Sequence, residues 1–318
     1  MYLFIFTYNH EKYISECLKS AIFQTENFKE IIIIDDKSND NTVDIIKSIS
    51  KYKKNIFFFQ NQNKKYHENT EFIYSYLKLE SKRNSFFSII SGDDKLELDY
   101  VSTFKKFILE NKKINFFFSA VNIINQRNEY LTKFNSMGDA QLFKKNDLLF
   151  KSVFYHRKIN SVPFVFNSKI ALKKNLLKQM KNSSYDYETL INITHKYNVF
   201  YINKYLAYWR RHDKQESFKK RISQYKFDFT IFKKYENFAN NKKEYLKYYK
   251  SNNNFKNYLL ALHFYNNDKM IKFYKFSFKY IFNGNFQILN LLILLICMIT
   301  FPFSNKLYNF IRRKYLFK

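Results

Sequence analysis

The stretch EIIIIDDKSNDNT, residues 30–42, decides the fold. Four consecutive isoleucines are typical of a strand buried on both faces, as happens when helices cover both sides of a mostly parallel sheet. The strand ends on two adjacent aspartates, and a helical pattern with apolar Val43, Ile46 and Ile49 follows. Two negative charges at the end of a buried strand need a cation or hydrogen-bond donors beside them. This stretch therefore predicts a strand, a polar loop that carries chemistry, and a helix.

The same order of strand and helix recurs along the first 125 residues. Further apolar strands are predicted at 2–9, 55–61, 86–94 and 114–124, and further helices at 11–24, 71–79 and 99–113. This alternation indicates a doubly wound α/β domain, in which ligands bind outside the carboxyl ends of the strands. Three polar loops are expected to meet at that edge, and they contain Thr7–Asn9, Asp35–Asp36 and Asp93–Asp94.

The composition limits the class of protein. Lys and Arg outnumber Asp and Glu by 55 to 27, and the net charge of +28 favours polyanions such as nucleic acid, an anionic membrane or a phosphorylated substrate. A nucleic-acid-binding protein would be expected to place basic residues and aromatic rings on one patch, whereas acidic pairs occupy the expected cleft here. We therefore expect no nucleic-acid partner. With two cysteines, Cys17 and Cys297, neither a disulfide framework nor a thiolate metal site is implied.

The C-terminal third has a different pattern from residues 1–213. Residues 214–284 are helical, polar and aromatic in pattern, and 286–303 form the most apolar stretch, followed by basic Arg312–Lys314. A spanning helix needs about 20 apolar residues, and this run is shorter. We expect the segment 285–318 to lie on the inner face of the cell membrane, and an ordinary core helix is the alternative. The N-terminus lacks a signal-peptide pattern, so a cytoplasmic location is expected.

The sequence FTYNHEKYISECLKSAIFQT, residues 6–25, together with 30–42, resembles the opening signature of family 2 glycosyltransferases. In that family a strand ends in a Pro/Thr-x-Tyr-Asn turn, a helix carries Ser-(x)3-Gln-Thr near its end, and the next strand ends in Asp-Asp-x-Ser-x-Asp-x-Thr. SGDD at 91–94 is similar to the family's DxD-type metal motif. The resemblance covers about residues 1–213. It implies a GT-A fold, a Rossmann-like mixed sheet of the nucleotide-diphospho-sugar transferases, with a helical C-terminal extension.

The resemblance implies nucleotide contacts on the first two strand ends. The turn after the first strand is implied to meet the base, on which an aromatic ring can stack. The residues of this turn are Thr7, Tyr8, Asn9 and Glu11. Asp35 and Asp36 are implied to accept hydrogen bonds from the base and the ribose hydroxyls. Asp40, later in the same motif, is expected to cap the following helix.

The resemblance also implies a metal cofactor. Asp94 is implied to bind Mn²⁺ or Mg²⁺ directly, and Asp93 to face the ribose. These ions prefer oxygen ligands and often take only one or two carboxylates, with phosphate oxygens and water completing the shell. A nucleoside-diphosphate sugar would supply those phosphates.

A later segment, SYDYE at 184–188, occupies the place of the family's Glu-Asp motif. Asp186 aligns with the general base that takes a proton from the acceptor hydroxyl. Tyr185 stands where a second acid is usual, and Glu188 is the alternative base. The segment thus implies an inverting transfer.

YWRRH at 208–212 resembles the family's Tyr-Arg-x-His segment. It implies that Arg210 or Arg211, with His212, contacts the diphosphate, because arginine donors pair well with phosphate oxygens. The other histidines show no metal-ligand spacing and are expected to be structural: His10, His67, His156, His195 and His263.

These implications define the expected activity. It is the inverting, metal-dependent transfer of a hexosyl-type sugar from a nucleoside-diphosphate donor, expected to be a UDP-sugar. The expected acceptor is a hydroxyl of a lipid-linked or surface glycan in bacterial polysaccharide, lipooligosaccharide or capsule biosynthesis. The main alternative is a catalytically idle, membrane-associated scaffold on the same fold. A glycoside hydrolase also uses two carboxylates, but the nucleotide-type loops argue against it.

Overall fold

The structure is a computed structural model. It describes residues 1–51, 53–61, 66–79, 84–134, 137–147, 150, 160–174, 176–179, 185–213, 215, 230–231, 233–241, 243–266, 269–283 and 288–300. His156, the basic segment Arg312–Lys314 and the ends of the apolar stretch lie outside the described residues. The chain divides into two compact units, residues 1–218 and 219–318.

The first unit alternates strands and helices, as predicted. The strands are β1 (Tyr2–Thr7), β2 (Glu30–Asp35), β3 (Ile56–Gln60), β4 (Phe86–Ser91), β5 (Lys95–Leu96), β6 (Phe116–Asn125), β7 (Tyr130–Phe134), β8 (Gln141–Phe143), β9 (Phe164–Asn167) and β10 (Val199–Arg211). The helices are α1 (Ile14–Ile22), α2 (Thr42–Ser50), α3 (Tyr66–Leu77), α4 (Tyr100–Glu110), α5 (Ser168–Lys174) and α6 (Tyr185–Lys196), with a 3₁₀ turn at Leu176–Gln179.

Among the described residues, ten strands form one sheet in the order β3-β2-β1-β4-β9-β6-β10-β5, with β7 beside β6 and β8 beside β10. Strands β3, β2, β1 and β4 are parallel, and β9 runs antiparallel to both β4 and β6. The sheet is therefore mixed, as the resemblance implied. Because β6 and β10 run in the same direction as β4, the carboxyl ends of β1, β2, β4, β6 and β10 lie at one edge.

The register of the parallel strands brings the predicted loops together. Thr7 at the end of β1 lies opposite Asp35 at the end of β2, and Phe6 lies opposite Ser91 at the end of β4. The backbone N–H of Asp36 donates to the Thr7 carbonyl at 2.9 Å, and that of Gly92 donates to the Phe6 carbonyl at 2.7 Å. The prediction that the three loops converge on one edge is confirmed.

The central strands are apolar because both of their faces are covered. The side chains of β1 and of the β2 isoleucines are buried, and α1 packs its apolar side against the sheet. The core of this unit includes Leu3, Ile5, Ile31 and Ile33 from the strands and Ile14, Cys17, Leu18 and Ala21 from α1. Burial of an aliphatic side chain stabilises the fold by about 1.5–3 kcal/mol.

Two local features differ from what the sequence predicts. The sequence VFYINKYLAYWRRH, residues 199–212, predicts a strand followed by a short extended segment, but the structure has one strand, β10, with register shifts between Ile202 and Tyr205 and between Tyr205 and Ala207. The shifts interrupt the alternation on which the prediction depended. Strands β7 (YLTKF) and β8 (QLF) were not predicted, because they are short and their apolar residues neither alternate with polar ones nor form a long continuous run.

The second unit is helical where it is described. It contains α7 (Glu236–Asn240), α8 (Lys243–Asn266), α9 (Met270–Phe282) and α10 (Ile288–Thr300). Tyr258, Tyr265, Phe273, Tyr280 and Leu294 form its core. Helix α10 occupies most of the predicted apolar stretch. No described helix combines the length and the apolar character that crossing a membrane would require.

Candidate active site

The first aspartate pair is enclosed by neutral hydrogen-bond donors. Asp35 is fully buried and accepts bonds from the Ser38 N–H at 2.9 Å and from Gln60 Nε2 at 3.1 Å. Asp36 is also buried, and both of its oxygens accept from Asn69 Nδ2, at 2.9 and 3.1 Å. Asn61 Nδ2 donates to Asp36 Oδ1 at 2.8 Å. Donor groups of the protein thus bond to both aspartates of this pair.

The loop after β1 is tied to the loop after β2. Asn9 adopts a positive φ of 53°, and its backbone N–H donates to Ser38 Oγ at 2.8 Å. The Asn41 N–H and Nδ2 donate to Glu11 Oε2 at 3.2 and 3.1 Å. Asp40 accepts from the N–H of Thr42, the first residue of α2, at 3.0 Å. Asp40 therefore bonds to the start of α2 as predicted, although Asn41 is the residue at the N-cap position and its own side chain makes no capping bond.

The second aspartate pair is enclosed by ionisable groups. His212 Nε2 lies 2.9 Å from Asp93 Oδ2, and His10 Nε2 lies 4.0 Å from the same oxygen. Asp94 Oδ1 accepts from the backbone N–H of Arg210 at 3.0 Å. His10, which was expected to be purely structural, therefore belongs to the surroundings of Asp93.

Burial and mutual repulsion set the charges of this pair. Burial raises the pKa of Asp94 well above its usual value, and the neighbouring charge of Asp93 adds to the rise. Burial also opposes ionisation of Asp93, but His10 and His212 outweigh it and hold the pKa of Asp93 below its usual range. Burial lowers the pKa of His10. The pair as a whole favours an additional positive charge.

Arg210 is buried beside the second aspartate pair and is bonded to several protein groups. Its side chain is 1% exposed. Its Nη2 donates to Glu16 Oε2 at 2.8 Å, its Nη1 to Asn128 Oδ1 at 2.8 Å, and its Nε to the Asp93 carbonyl at 2.8 Å. The structure therefore engages the guanidinium with protein groups, and its contact with a diphosphate stays a prediction.

The Ser-(x)3-Gln-Thr part of the signature holds the segment that follows Asp94. Ser20 Oγ accepts from the Leu96 N–H at 3.0 Å. Gln24 donates to the Glu97 carbonyl at 2.7 Å and accepts from the Val101 N–H at 3.1 Å. These bonds connect the end of α1 to the chain from β5 to the start of α4. The motif therefore has a structural role here, because it holds the backbone that follows the acidic pair.

Gly92 allows the acidic pair to lie close to the first loop. A β-carbon on this residue would lie 2.9 Å from Thr7 Oγ1 and 3.0 Å from both His10 Nδ1 and Ile14 Cδ1. A contact of 2.9 Å is closer than real β-carbons show, and contacts of 3.0 Å are unusually tight. A side chain at position 92 would therefore displace the Asp93–Asp94 turn or the side chains of Thr7, His10 and Ile14.

Asp93 and Asp94 have the chemistry of a divalent-cation site. Within the described part of the chain, no group of three His, Cys, Asp or Glu side chains could hold a metal ion. Two carboxylates are nevertheless sufficient for Mg²⁺ or Mn²⁺ when phosphate oxygens supply other ligands. The raised pKa of Asp94 is the effect that a nearby cation would reverse. The residues therefore fit such an ion.

Asp186 lies in the first turn of α6, where its Oδ1 accepts from the Tyr187 N–H at 2.8 Å. Glu188, the alternative base, is buried. Asp186 is the more accessible of the two carboxylates. The assignment of either residue as the general base stays a prediction.

Several residues that build the site gave no signal in the sequence. Gln60 lies in β3, Asn69 lies in α3, and Asn61 lies between the two elements. Nothing in the spacing of these residues along the sequence points to Asp35 or Asp36. Glu16 and Asn128 likewise lie far along the chain from Arg210. Arg210, near the end of β10, needs an acidic partner because it is buried, but its burial is known only from the structure.

The sequence profile of glycosyl transferase family 2 matches residues 2–180 of the chain. Glycosyltransferase GlyA of Streptococcus pneumoniae serotype 4 is 31% identical over 105 residues, which are 32% of this chain. The chain spans only 14% of the length of that relative.

Solved structures share the fold at low sequence identity. The crystal structure of S. aureus TarS 1–349 in complex with UDP has a TM-score of 0.54 and 16% identity, and the match covers 90% of this chain and 92% of that one. The crystal structure of GalNAc-T7 with UDP, GalNAc and Mn²⁺ has a TM-score of 0.51 and 12% identity, over 73% of this chain and 47% of that one. Both support a GT-A fold for residues of the first unit.

Proposed function

The chain belongs to glycosyl transferase family 2, and from this premise we propose that it transfers a sugar from a nucleoside-diphosphate donor to a hydroxyl group. The observation that carries the proposal is the buried Asp93–Asp94 pair at the carboxyl ends of the strands. It is the place where a donor's diphosphate and a divalent cation would be held together. The similar folds of TarS and GalNAc-T7 hold UDP, and the latter also Mn²⁺, so UDP and Mn²⁺ are the first ligands to test.

The donor would bind across the three converging loops. Asp94 would hold the cation, with Asp93 beside it and hydrogen-bonded to His212. A cation bound there would neutralise the charge that builds on the leaving diphosphate. The nucleoside would meet the loops after β1 and β2, which are bonded to each other and contain Thr7, Tyr8, Asn9, Asp35 and Asp36.

The transfer itself would invert the anomeric carbon. Asp186 would take the proton of the acceptor hydroxyl as its oxygen bonds to the anomeric carbon and the bond from that carbon to the diphosphate oxygen breaks. We expect Asp186→Asn to keep donor binding and to lose about 10²–10⁴-fold in transfer. If Asp186→Asn keeps its activity and Glu188→Gln loses it, Glu188 is the base instead.

A thermal-shift panel tests the donor site. UDP at about 100 times its Kd should stabilise the protein by about 2.7 kcal/mol, and the shift should require Mn²⁺ or Mg²⁺. Asp94→Ala should abolish the metal-dependent part, whereas Asp44→Ala, at an exposed position of α2, should not change it. If no nucleotide shifts the folded wild-type protein, the donor site is wrong and the scaffold alternative takes its place.

We also propose that the protein works at the inner face of the cell membrane, on a lipid-linked or surface-glycan acceptor. Helix α9 exposes Ile271 (85%) and Phe282 (81%) on a side that also carries Lys272, Lys275 and Lys279. Apolar and basic residues on one helix side favour an anionic lipid surface.

Helix α10 continues this character, because its exposed side is aliphatic. Its exposed residues are Ile288, Leu289, Leu292, Leu295, Ile296 and Ile299. The opposite side, with Leu294 and Cys297, packs in the core of the second unit. If α10 were an ordinary core helix, its buried side would be explained, but its exposed aliphatic side would not.

Sedimentation with vesicles tests the membrane proposal. The protein should pellet with vesicles that contain phosphatidylglycerol and less with phosphatidylcholine alone. Ile271→Gln combined with Phe282→Gln should weaken pelleting, and deletion of 285–318 should weaken it further. Leu109→Gln, at an exposed position of α4 (68%), serves as the control. A protein that stays in the supernatant with both vesicles would refute the proposal.

A further inference from the structure

Arg210 is the largest of the fully buried side chains in the described part of the chain. It connects four segments. Its backbone N–H bonds to Asp94, its Nε to the Asp93 carbonyl, its Nη1 to Asn128 in the turn between β6 and β7, and its Nη2 to Glu16 on α1. Its guanidinium also lies 4.9 Å from the centre of the Tyr13 ring. One residue therefore holds both members of the acidic pair, each through a different atom.

Glu16 and Asn128 complete this arrangement. Asn128 Nδ2 donates to Glu16 Oε1 at 2.9 Å, so the two partners of the guanidinium are also bonded to each other. Asn128 adopts a positive φ of 67°, which directs its side chain from a tight turn. The planar guanidinium of arginine can donate to three acceptors in fixed directions. The ammonium of a lysine is a compact point charge and would not hold the same three acceptors.

We propose that Arg210 is a positioning residue, held by Glu16 and Asn128, that fixes the Asp93–Asp94 turn in the geometry that binds the divalent cation. This inference rests on the proposed donor site. It differs from the implied role of Arg210, which is direct contact with the diphosphate. The side chain of Arg210 is only 1% exposed, so a diphosphate contact would require the groups that cover it to move.

The two roles differ in the Mn²⁺ requirement that is expected when Glu16 is replaced, which rises only if Arg210 positions the acidic pair. If Arg210 contacts the diphosphate, Glu16→Ala removes a competing acceptor and a negative charge, so metal-free affinity for UDP should rise or stay the same. If Arg210 positions the acidic pair, Glu16→Ala loosens the turn, so more metal is needed while metal-free affinity for UDP is unchanged. Groups that orient metal ligands typically contribute 10–100-fold to metal affinity.

The experiment measures UDP binding by calorimetry, first in EDTA and then in a titration with MnCl₂. We expect Glu16→Ala and Arg210→Lys to raise the Mn²⁺ concentration for half-maximal UDP binding by about 10–100-fold. Asn128→Gly, which keeps the positive φ accessible, should raise it in the same direction. Glu26→Ala is the matched control, because Glu26 has a similar exposed fraction to Glu16 (48% and 42%) and its partner is the exposed Lys105.

Three results would overturn the inference. The first is weaker UDP binding in EDTA by Arg210→Lys with an unchanged Mn²⁺ requirement, which assigns Arg210 to the diphosphate. The second is a lower melting temperature with unchanged UDP and Mn²⁺ binding, which makes the cluster merely structural. The third is an equal effect of Glu26→Ala. Failure of the donor site itself would be distinct, because the wild-type protein would then show no Mn²⁺-dependent UDP binding.

Discussion

The two aspartate pairs at the edge of the sheet look alike in sequence and differ in their surroundings. Asp35 and Asp36 end β2 among amide and hydroxyl donors, which are neutral. Asp93 and Asp94 follow β4 among two histidines and the backbone of a buried arginine. The two pairs lie on opposite sides of β1 at the same edge of the sheet. One pair of buried carboxylates is bonded to neutral donors, and the other lies beside ionisable side chains.

The two pairs differ in what they do: the first pair orders the loops, and the second pair has the chemistry to bind a cation. Neutral donors of the protein bond to the first pair, and in doing so they join β2, β3 and α3. The second pair keeps a repulsion between its members, which contributes to the raised pKa of Asp94. A cation relieves such a repulsion, whereas an amide donor only satisfies an oxygen. Substitutions of the two pairs should therefore have different effects on stability.

The largest effect is expected from removing one charge of the second pair. Asp94→Asn should lower sugar transfer by roughly a thousandfold, the equivalent of several kcal/mol of lost charge stabilisation. The unfolding free energy of the metal-free protein should stay the same or rise, because the repulsion from Asp93 disappears. Transfer assays and urea denaturation in EDTA measure the two quantities. A marked loss of stability in Asp94→Asn would contradict the distinction between the pairs.

The next effect concerns the donors of the first pair. Asn69→Ala removes the amide that bonds both oxygens of Asp36, and Asn69 is fully buried. Loss of bonds to a buried charged group should lower the unfolding free energy by about 1.5–3 kcal/mol, with an unchanged Mn²⁺ requirement for UDP.

Asn55→Ala is the control for this substitution, because Asn55 Nδ2 makes a single bond to the Phe28 carbonyl at 3.3 Å. Its cost should be about 1 kcal/mol or less. A raised Mn²⁺ requirement in Asn69→Ala would show that the two pairs are coupled rather than separate.

The strands and the loops at their ends could be predicted because their signals are local. Continuous apolar runs predicted β1, β2, β4 and β6, and the acidic pairs could be found because each directly follows such a run. The donors could not be predicted in the same way. Asp36 and Asn69 are 33 residues apart, and Glu16 and Arg210 are 194 residues apart.

For Arg210, the sequence could predict its position near the acidic pair but not its bonding partners. The resemblance placed a basic residue near the acidic pair, and the structure confirms that it is near. Which atoms of the arginine meet which partner depends on the turn at Asn128 and on the direction of α1. Both are consequences of the assembled sheet, and no spacing in the sequence encodes them.

A third prediction tests the closeness of the second pair to β1. Gly92→Ala would place a methyl group 2.9 Å from Thr7 Oγ1 and 3.0 Å from His10 Nδ1. Overpacking of this kind should cost about 1–3 kcal/mol of unfolding free energy and should weaken UDP binding in the presence of Mn²⁺.

Gly138→Ala is the comparison for Gly92→Ala. Gly138 has no neighbour within 4 Å of an added β-carbon but has a φ of +80°. Its substitution should cost about 1–2 kcal/mol through the backbone alone and should leave UDP binding unchanged. Equal binding by both alanine variants would mean that the Asp93–Asp94 turn tolerates displacement.

The smallest effect is expected at Asp40, a third carboxylate that neutral donors satisfy. Bonds from Thr42 and the Glu11 N–H outweigh partial burial and hold the pKa of Asp40 below its usual value. Asp40→Ala should cost about 1 kcal/mol at pH 7 through loss of the cap on α2. A lowered pKa in the folded state means that this stabilisation is present above the ordinary aspartate pKa and is lost as the pH falls through the lowered one. The difference in unfolding free energy between wild type and Asp40→Ala should therefore shrink below about pH 4, as denaturation series at several pH values would measure. A difference that stays constant with pH would mean that the Asp40 side chain acts there through its shape rather than its charge.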